Sequence, residues 1–206
     1  MSVSTDGTTR RTYLDHAATT ALDARVLEAM MPYLTTDWHN PSSIYVESQG
    51  TRRSIDSARH KISSIIGSNP DEILFTSGGS ESDNLALRGV LEAKRTRGKH
   101  VITSAGEHHA VLDPLEQLEH FGVADVTRLP LQRDGTVSIS DVNNSLREDT
   151  VLVSIMHANN EVGAINNISE ISSVAKSYDE RIIVHTDAVQ SIAHLPVTIN
   201  DLGADL

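Results

Sequence analysis

Residues 151–160 read Val-Leu-Val-Ser-Ile-Met-His-Ala-Asn-Asn, an apolar run that ends in polar side chains. A short apolar run of this kind is typical of a strand that is buried on both faces of a sheet. It is followed by a helical pattern at 168–177 and by a second apolar run at 182–186. A strand, a helix and a strand in this order predict a right-handed crossover between parallel neighbours.

The same alternation extends towards the N-terminus. A helical stripe at 22–34 contains Pro32, which we expect to kink the helix or end it early, and Gly67 is a candidate C-cap for the helix before it. The sequence therefore predicts a truncated α/β fold, in which a mainly parallel sheet is sandwiched by helices. The other predicted helices are 46–66, 80–96, 111–120 and 141–147, and the other predicted strands are 72–76, 100–104 and 123–129.

The composition excludes several classes of protein. A net charge of −11 argues against nucleic-acid binding, which needs clustered Lys and Arg. The sequence has no cysteine, which excludes disulfides, thiolate metal ligands and a cysteine nucleophile from this chain. The N-terminus has no apolar region typical of a secretory signal, and no apolar run approaches the roughly 20 residues of a membrane helix. We therefore expect a cytoplasmic protein that does not bind membranes.

Polar or glycine-rich segments follow four predicted strands, at 77–80, 106–109, 157–160 and 187–190. In parallel α/β sheets, ligands bind beyond the carboxyl ends of the strands. We therefore expect Ser80, His108, Asn160 and Asp187, one from each segment, to converge on one pocket at that edge.

The first of these segments favours a phosphate. Gly78 and Gly79 allow a tight turn, and Ser80 then opens a helix whose free N–H groups and dipole suit an anion. A capping motif formed by Ser80 and Asp83 would explain the same residues without a ligand.

Asp187 directly follows an apolar strand, so its carboxylate is expected to be partly desolvated and to need a partner. A pyridinium N–H is one suitable partner, because a protonated ring is the electron sink of pyridoxal chemistry. A helix-cap aspartate is the alternative.

His108, His109 and His185 raise the question of a metal site. Their spacing matches no metal-ligand motif, and a flat imidazole also stacks on an aromatic cofactor. We predict that they bind no metal.

Six motifs in order resemble those of the NifS/IscS-type cysteine desulfurases, which are aminotransferase class V members of the fold-type I pyridoxal-phosphate enzymes. The resemblance covers residues 13–206. The motifs are YLDHAATT at 13–20, NPSS at 40–43, TSGGSESDN at 76–84, EHHAVLD at 107–113, MHANNEVG at 156–163 and HTDAVQS at 185–191.

The resemblance implies pyridoxal 5'-phosphate as cofactor and assigns a role to each matching residue. Gly79 and Ser80, where the family more often has Ala-Thr, would hold the phosphate. His108 would stack on the pyridine ring and act in catalysis by moving protons. Asp187 would pair with the pyridinium nitrogen.

Three further roles follow from the same resemblance. Gln190 would donate to the 3-oxygen of the ring, and Asn160 would lie near that oxygen and the substrate carboxylate. Asn40 would belong to the loop at the substrate mouth. His16 stands where many relatives have asparagine.

The resemblance also implies a reaction and partners. L-Cysteine would be converted to L-alanine, with its sulfur transferred to an enzyme cysteine as a persulfide. A homodimer is expected, with a sulfur acceptor or scaffold protein in iron–sulfur cluster assembly as a further partner. Residues 1–21 would belong to the small domain of the family, and residues 22–206 to an incomplete large cofactor domain.

The family carries a Ser-x-His-Lys segment soon after the Gly-x-Asp-Leu that here is 203–206. Neither that lysine nor the acceptor cysteine occurs in this sequence, so we expect the isolated chain to be inactive, as an incomplete or split enzyme. Three alternatives stay open: a related class V lyase such as a selenocysteine lyase, a non-catalytic dimerisation or complementation partner, and a metal-dependent hydrolase.

Overall fold

The computed structural model describes residues 12–192, 194–195 and 197–206. It divides into two compact units, one that ends at Asp56 and one that spans Ser57–Leu206. Part of the predicted N-terminal segment, residues 1–11, lies outside the described residues. The assignment of 1–21 and 22–206 to two domains of the family stays a prediction.

The first unit contains helix α1, Ala24–Thr35, and the beginning of helix α2, Val46–Ile66. The Asp23 side chain caps α1 by accepting a hydrogen bond from the Arg25 N–H. Pro32 lies inside α1, and the helix continues past it to Thr35. In the second unit α2 ends as predicted at Gly67, whose φ of 75° is in the left-handed region that glycine adopts without strain.

The rest of the second unit alternates helices and strands. None of the helices in the described residues is long and apolar enough to cross a membrane. The elements in chain order are a 3-10 helix at Pro70–Glu72, α3 at Gly79–Lys94, β1 at His100–Ser104, α4 at His109–His120, β2 at Asp125–Leu129, α5 at Ile139–Ser145, β3 at Thr150–Ser154, α6 at Ile168–Tyr178, β4 at Ile183–His185 and α7 at Ile199–Leu202.

The four strands form one parallel sheet in the order β2-β1-β3-β4. Beside β4, the Asp205 N–H donates to the Val184 carbonyl at 2.7 Å, and the Thr186 N–H donates to the Leu206 carbonyl at 3.0 Å. The end of the described chain therefore pairs with the outer edge of β4. The predicted fold class, an α/β sheet sandwiched by helices, is confirmed.

Apolar side chains alternate between the two faces of the sheet, because successive residues of a strand point to opposite sides. Val101 packs with Leu87 of α3 and Leu115 of α4 in one core. Its neighbour Ile102 packs with Ile171 of α6 in the other core. The two cores leave the carboxyl ends of all four strands at one edge.

The predicted strand at 72–76 is wrong. The chain leaves the 3-10 helix and continues through 73–76 in neither a helix nor a strand, with Leu74 67% and Phe75 46% exposed. The Arg59 Nε donates to the Ile73 carbonyl at 3.1 Å, and the guanidinium lies 5.2 Å from the centre of the Phe75 ring. The apolar run favours a strand, but no strand among the described residues pairs with it.

Candidate functional site

Contacts between loops bring the predicted site segments together at the carboxyl edge of the sheet. The Asn159 Nδ2 donates to the Gly106 carbonyl at 2.9 Å, which joins the loops after β3 and β1. The backbone N–H of His157 donates to the Asp187 carbonyl at 3.0 Å, which joins the loops after β3 and β4. A Cβ placed on Gly79 would lie 2.9 Å from Val189 Cγ2, so the start of α3 reaches the same loop.

The N-terminus of α3 is open to an anion. Gly78 is its N-cap, and the Gly78 carbonyl accepts from the N–H groups of Glu81 and Ser82. The N–H groups of Gly79 and Ser80 have no hydrogen-bond partner among the described residues. Because these N–H groups lie at the positive end of the helix dipole, they are suited to bind a phosphate.

The alternative capping motif of Ser80 and Asp83 is wrong. Gly78, not Ser80, occupies the N-cap, and Ser80 is exposed in the first turn. Asp83 is buried, with 4% of its surface exposed, so its carboxylate does not face the helix start. The glycine at the cap leaves the Ser80 hydroxyl accessible to a ligand.

His108 is held as the N-cap of α4. Its Nδ1 accepts a hydrogen bond from the Ala110 N–H at 3.1 Å. An accepting Nδ1 carries no proton, so the neutral imidazole presents an N–H at Nε2. The ring is exposed at the carboxyl edge, where it is accessible to a planar ligand.

Asn160 is positioned by its neighbour. The Asn159 Oδ1 accepts from the N–H groups of Glu161 and Val162, both at 2.9 Å, while its Nδ2 reaches Gly106. The Asn159 amide is therefore committed to shaping the loop. Asn160, the next residue, is half-buried and keeps its amide for other partners.

Asp187 lies two residues beyond the end of β4 and is buried, with 8% of its surface exposed. One carboxylate oxygen accepts from the Val189 N–H at 3.0 Å. Gln190 follows in the same loop and is half-buried. The structure thus brings Gly79, Ser80, His108, Asn160, Asp187 and Gln190 to one edge, while their individual roles stay predictions.

Three buried titratable groups around Asp187 were not predicted as site residues from the sequence. Burial, together with the negative charge of Asp187, raises the pKa of Asp83 to about 7. Burial also raises the pKa of Glu107 to about 7. Burial lowers the pKa of His185 to about 4.

The Nε2 of His185 lies 3.6 Å from Asp83 Oδ1. This contact has the geometry of an ion pair, but a pKa of about 4 leaves the imidazole neutral at pH 7. Nδ1 of the same ring lies 2.9 Å from the Ser154 hydroxyl. His185 is therefore a neutral, buried side chain that contacts Ser154 and Asp83.

Asn40 lies in the first unit and is exposed. Its Oδ1 accepts from the Ser42 N–H at 2.9 Å, which shapes the loop, and its role in substrate binding stays a prediction. A cavity of about 290 Å³ in the same unit contains none of the predicted site residues; it is lined by Tyr33, Asp37, His39, Val46, Glu47, Gly50, Thr51 and Ser54.

We expect the purified chain to contain no stoichiometric zinc. His108 is committed at Nδ1 to capping α4, and His185 contacts Ser154 and Asp83 instead of His108. Within the described ranges no group of three or more His, Cys, Asp or Glu side chains is arranged to hold a metal ion. Elemental analysis by mass spectrometry measures this. One zinc per chain that is lost in His108→Ala would contradict the prediction.

The parallel sheet and the loops at its carboxyl edge define an α/β protein of the class that binds ligands beyond its strand ends. The Aminotransferase class-V family model matches residues 12–206. The chain belongs to this family.

Particular relatives agree with the family match. The chain is 53% identical over 197 residues to the cysteine desulfurase IscS of Dictyoglomus turgidum, with 96% of this chain and 49% of that protein aligned. A solved structure of a NifS-like protein covers 95% of this chain and 53% of its own, at 36% identity and a TM-score of 0.91. A structure of SspA in complex with cysteine covers 94% of this chain and 55% of its own, at 38% identity and a TM-score of 0.89. The chain thus spans about half the length of the curated relatives it matches.

Proposed function

We propose that the chain is the N-terminal portion of a pyridoxal-phosphate-dependent cysteine desulfurase. The observation that carries the proposal is the joining of four loops at one sheet edge. At this edge lie two N–H groups of α3 that have no partner in the part of the chain that the structure describes, together with the buried carboxylate of Asp187. The class V family and its cysteine desulfurase relatives support the same assignment.

The residues present fit the cofactor. The N–H groups of Gly79 and Ser80, with the Ser80 hydroxyl, would hold the phosphate. Asp187 would accept a hydrogen bond from the pyridinium nitrogen while its other interaction, with the Val189 N–H, fixes the carboxylate. When bound, pyridoxal phosphate supplies an electron sink for the electron pair left on the substrate.

Three side chains would act around the ring. The exposed His108 ring would stack on the pyridine face and move protons through Nε2, since Nδ1 is engaged by Ala110. Asn160 and Gln190 would orient the 3-oxygen and the substrate carboxylate through their amides. Asn40 would contact substrate from its own loop.

The proposed reaction is L-cysteine plus a protein thiol giving L-alanine plus a protein persulfide. The carbon–sulfur bond breaks, a sulfur–sulfur bond forms to the acceptor thiol, and the substrate β-carbon gains a proton, so atoms and electrons balance. Because this sequence contains no cysteine, the acceptor thiol has to come from outside it. A homodimer in the cytoplasm that delivers sulfur to an acceptor or scaffold protein for iron–sulfur cluster assembly belongs to the same proposal.

Binding of pyridoxal phosphate to the chain tests the proposal. Equilibrium dialysis should detect reversible binding that excess inorganic phosphate weakens. Ser80→Ala should reduce the affinity by about tenfold, because a hydrogen bond to a charged group is lost. Ser169→Ala, at an exposed position of α6, is the matched control and should bind as the wild type does. No binding, or equal affinity in Ser80→Ala, would contradict the proposed phosphate site.

A further inference from the structure

Glu107 links two of the site loops. Its Oε1 accepts hydrogen bonds from the Ser104 hydroxyl at 2.5 Å and from the Met156 N–H at 2.9 Å. Ser104 ends β1, and Met156 lies two residues beyond the end of β3. One oxygen atom therefore joins the ends of two neighbouring strands at the carboxyl edge.

A second contact lies beside the first. The Gly106 carbonyl, one residue before Glu107, accepts from the Asn159 side chain at 2.9 Å. In each loop the residue that makes the link directly precedes a predicted cofactor contact: Glu107 precedes His108, and Asn159 precedes Asn160. The two links together join the loop that carries His108 to the loop that carries Asn160.

The surroundings of Glu107 disfavour a negative charge. Only 6% of the residue is exposed, and Oε2 is buried with no hydrogen-bond partner among the described residues. The acidic groups that act on it are Asp187 from the loop after β4 and Asp83 from α3, while His185 of β4, which contacts Asp83, is neutral. A buried carboxylate with an unpartnered oxygen and acidic neighbours is better accommodated with its proton.

We propose that Glu107 is a positioning residue: as a neutral carboxyl group, it fastens the loop that carries His108 to the loop that carries Asn160. The functional importance of His108 and Asn160 rests on the proposed function, whereas the link between their loops is independent of any cofactor.

The pH dependence of unfolding tests the charge state. The pKa of Glu107 is about 7 in the folded chain against an ordinary 4.5, so its contribution to stability is complete below pH 4.5 and is lost as the pH rises to about 7. Between pH 5 and pH 8 this loss lowers the folding equilibrium constant of the wild type by roughly tenfold to a hundredfold. Glu107→Gln does not titrate and keeps an oxygen acceptor, so it should remove the part of the fall that comes from Glu107 and keep the part that comes from Asp83, whose pKa is also about 7.

The link is tested by amide hydrogen exchange. Glu107→Gln should preserve the protection of the Met156 N–H at pH 6, whereas Glu107→Ala should lower it by at least tenfold. Glu116→Gln, at an exposed position of α4, is the matched control and should follow the wild type in both measurements. A pH dependence of Glu107→Gln equal to that of the wild type, or Met156 exchange unaffected in Glu107→Ala, would overturn the proposal.

A third measurement separates this inference from the proposed function. Pyridoxal-phosphate affinity should be kept in Glu107→Gln at pH 6 and fall severalfold in Glu107→Ala. If the wild type binds no pyridoxal phosphate while the unfolding and exchange results hold, the cofactor proposal fails and the link stands. If the wild type binds and Glu107→Ala binds equally well, the positioning role fails and the cofactor proposal stands.

Discussion

L-Cysteine and pyridoxal phosphate added to the 206-residue chain alone should yield no alanine and no sulfide above the background of the free cofactor. The sequence has no cysteine to accept sulfur, and its four lysines, Lys61, Lys94, Lys99 and Lys176, lie outside the family's Ser-x-His-Lys motif. Adding the C-terminal half of the Dictyoglomus turgidum relative, as a second chain or fused, should restore both products and the yellow colour of the bound cofactor. Alanine and sulfide release are measured with and without that half.

The controls for this experiment distinguish its outcomes. The same C-terminal half with its motif lysine replaced by alanine should fold with the chain but restore no turnover. Turnover by the lone chain would contradict the proposed mechanism. A folded pair that binds the cofactor and stays inactive would favour the alternative of a non-catalytic complementation partner.

Asp187→Asn should lower kcat of the reconstituted pair by about a hundredfold or more, because a neutral amide would no longer favour the protonated ring nitrogen that makes the cofactor an electron sink. The asparagine Oδ1 still accepts from the Val189 N–H, so the loop is retained. The same variant should stabilise the lone chain at pH 8. The reason is that Asp187 raises the pKa values of Asp83 and Glu107, and its removal makes their ionisation in the folded state less costly.

Loss of activity together with a gain in stability is the result that distinguishes a functional carboxylate from a structural one. Urea unfolding at pH 8 and steady-state alanine production measure the two quantities. Asp71→Asn, at an exposed position, is the control and should change neither. A variant that loses stability as well as activity would show that Asp187 mainly supports the fold.

Much of the fold follows from local sequence pattern. Helix α2 has the predicted bounds of 46–66, and the strands at 100–104 and 150–154 lie where apolar runs predicted them. These elements are specified by their own periodicity and by the cores they form. The run at 72–76 shows the limit, because apolar residues favour a strand whereas pairing requires a neighbour that local pattern does not reveal.

The site was predicted in part. Asp187 and His108 were found because each lies in a polar segment that follows a strand and each matches a family motif. Asp83 and Glu107 belong to quoted motifs as well, but nothing in their residue type indicates that they would be buried. Burial is a property of the assembled sheet and helices. It changes the pKa of a carboxyl group more than the choice between Asp and Glu does.

Gly79 and Val189 are 110 residues apart in the sequence, but they lie so close in the fold that their side chains compete for the same space. A methyl group at position 79 would approach the Val189 side chain at 2.9 Å, so an alanine there, as the family more often has, requires the valine to turn away or to be smaller. We therefore expect the two positions to covary among related proteins, with a larger residue at one position accompanied by a smaller residue at the other. Replacing Gly79 and Ser80 by Ala and Thr should therefore be tolerated best when it is combined with Val189→Ala. An experiment that changes only one of the two positions would underestimate how well the other substitution is tolerated.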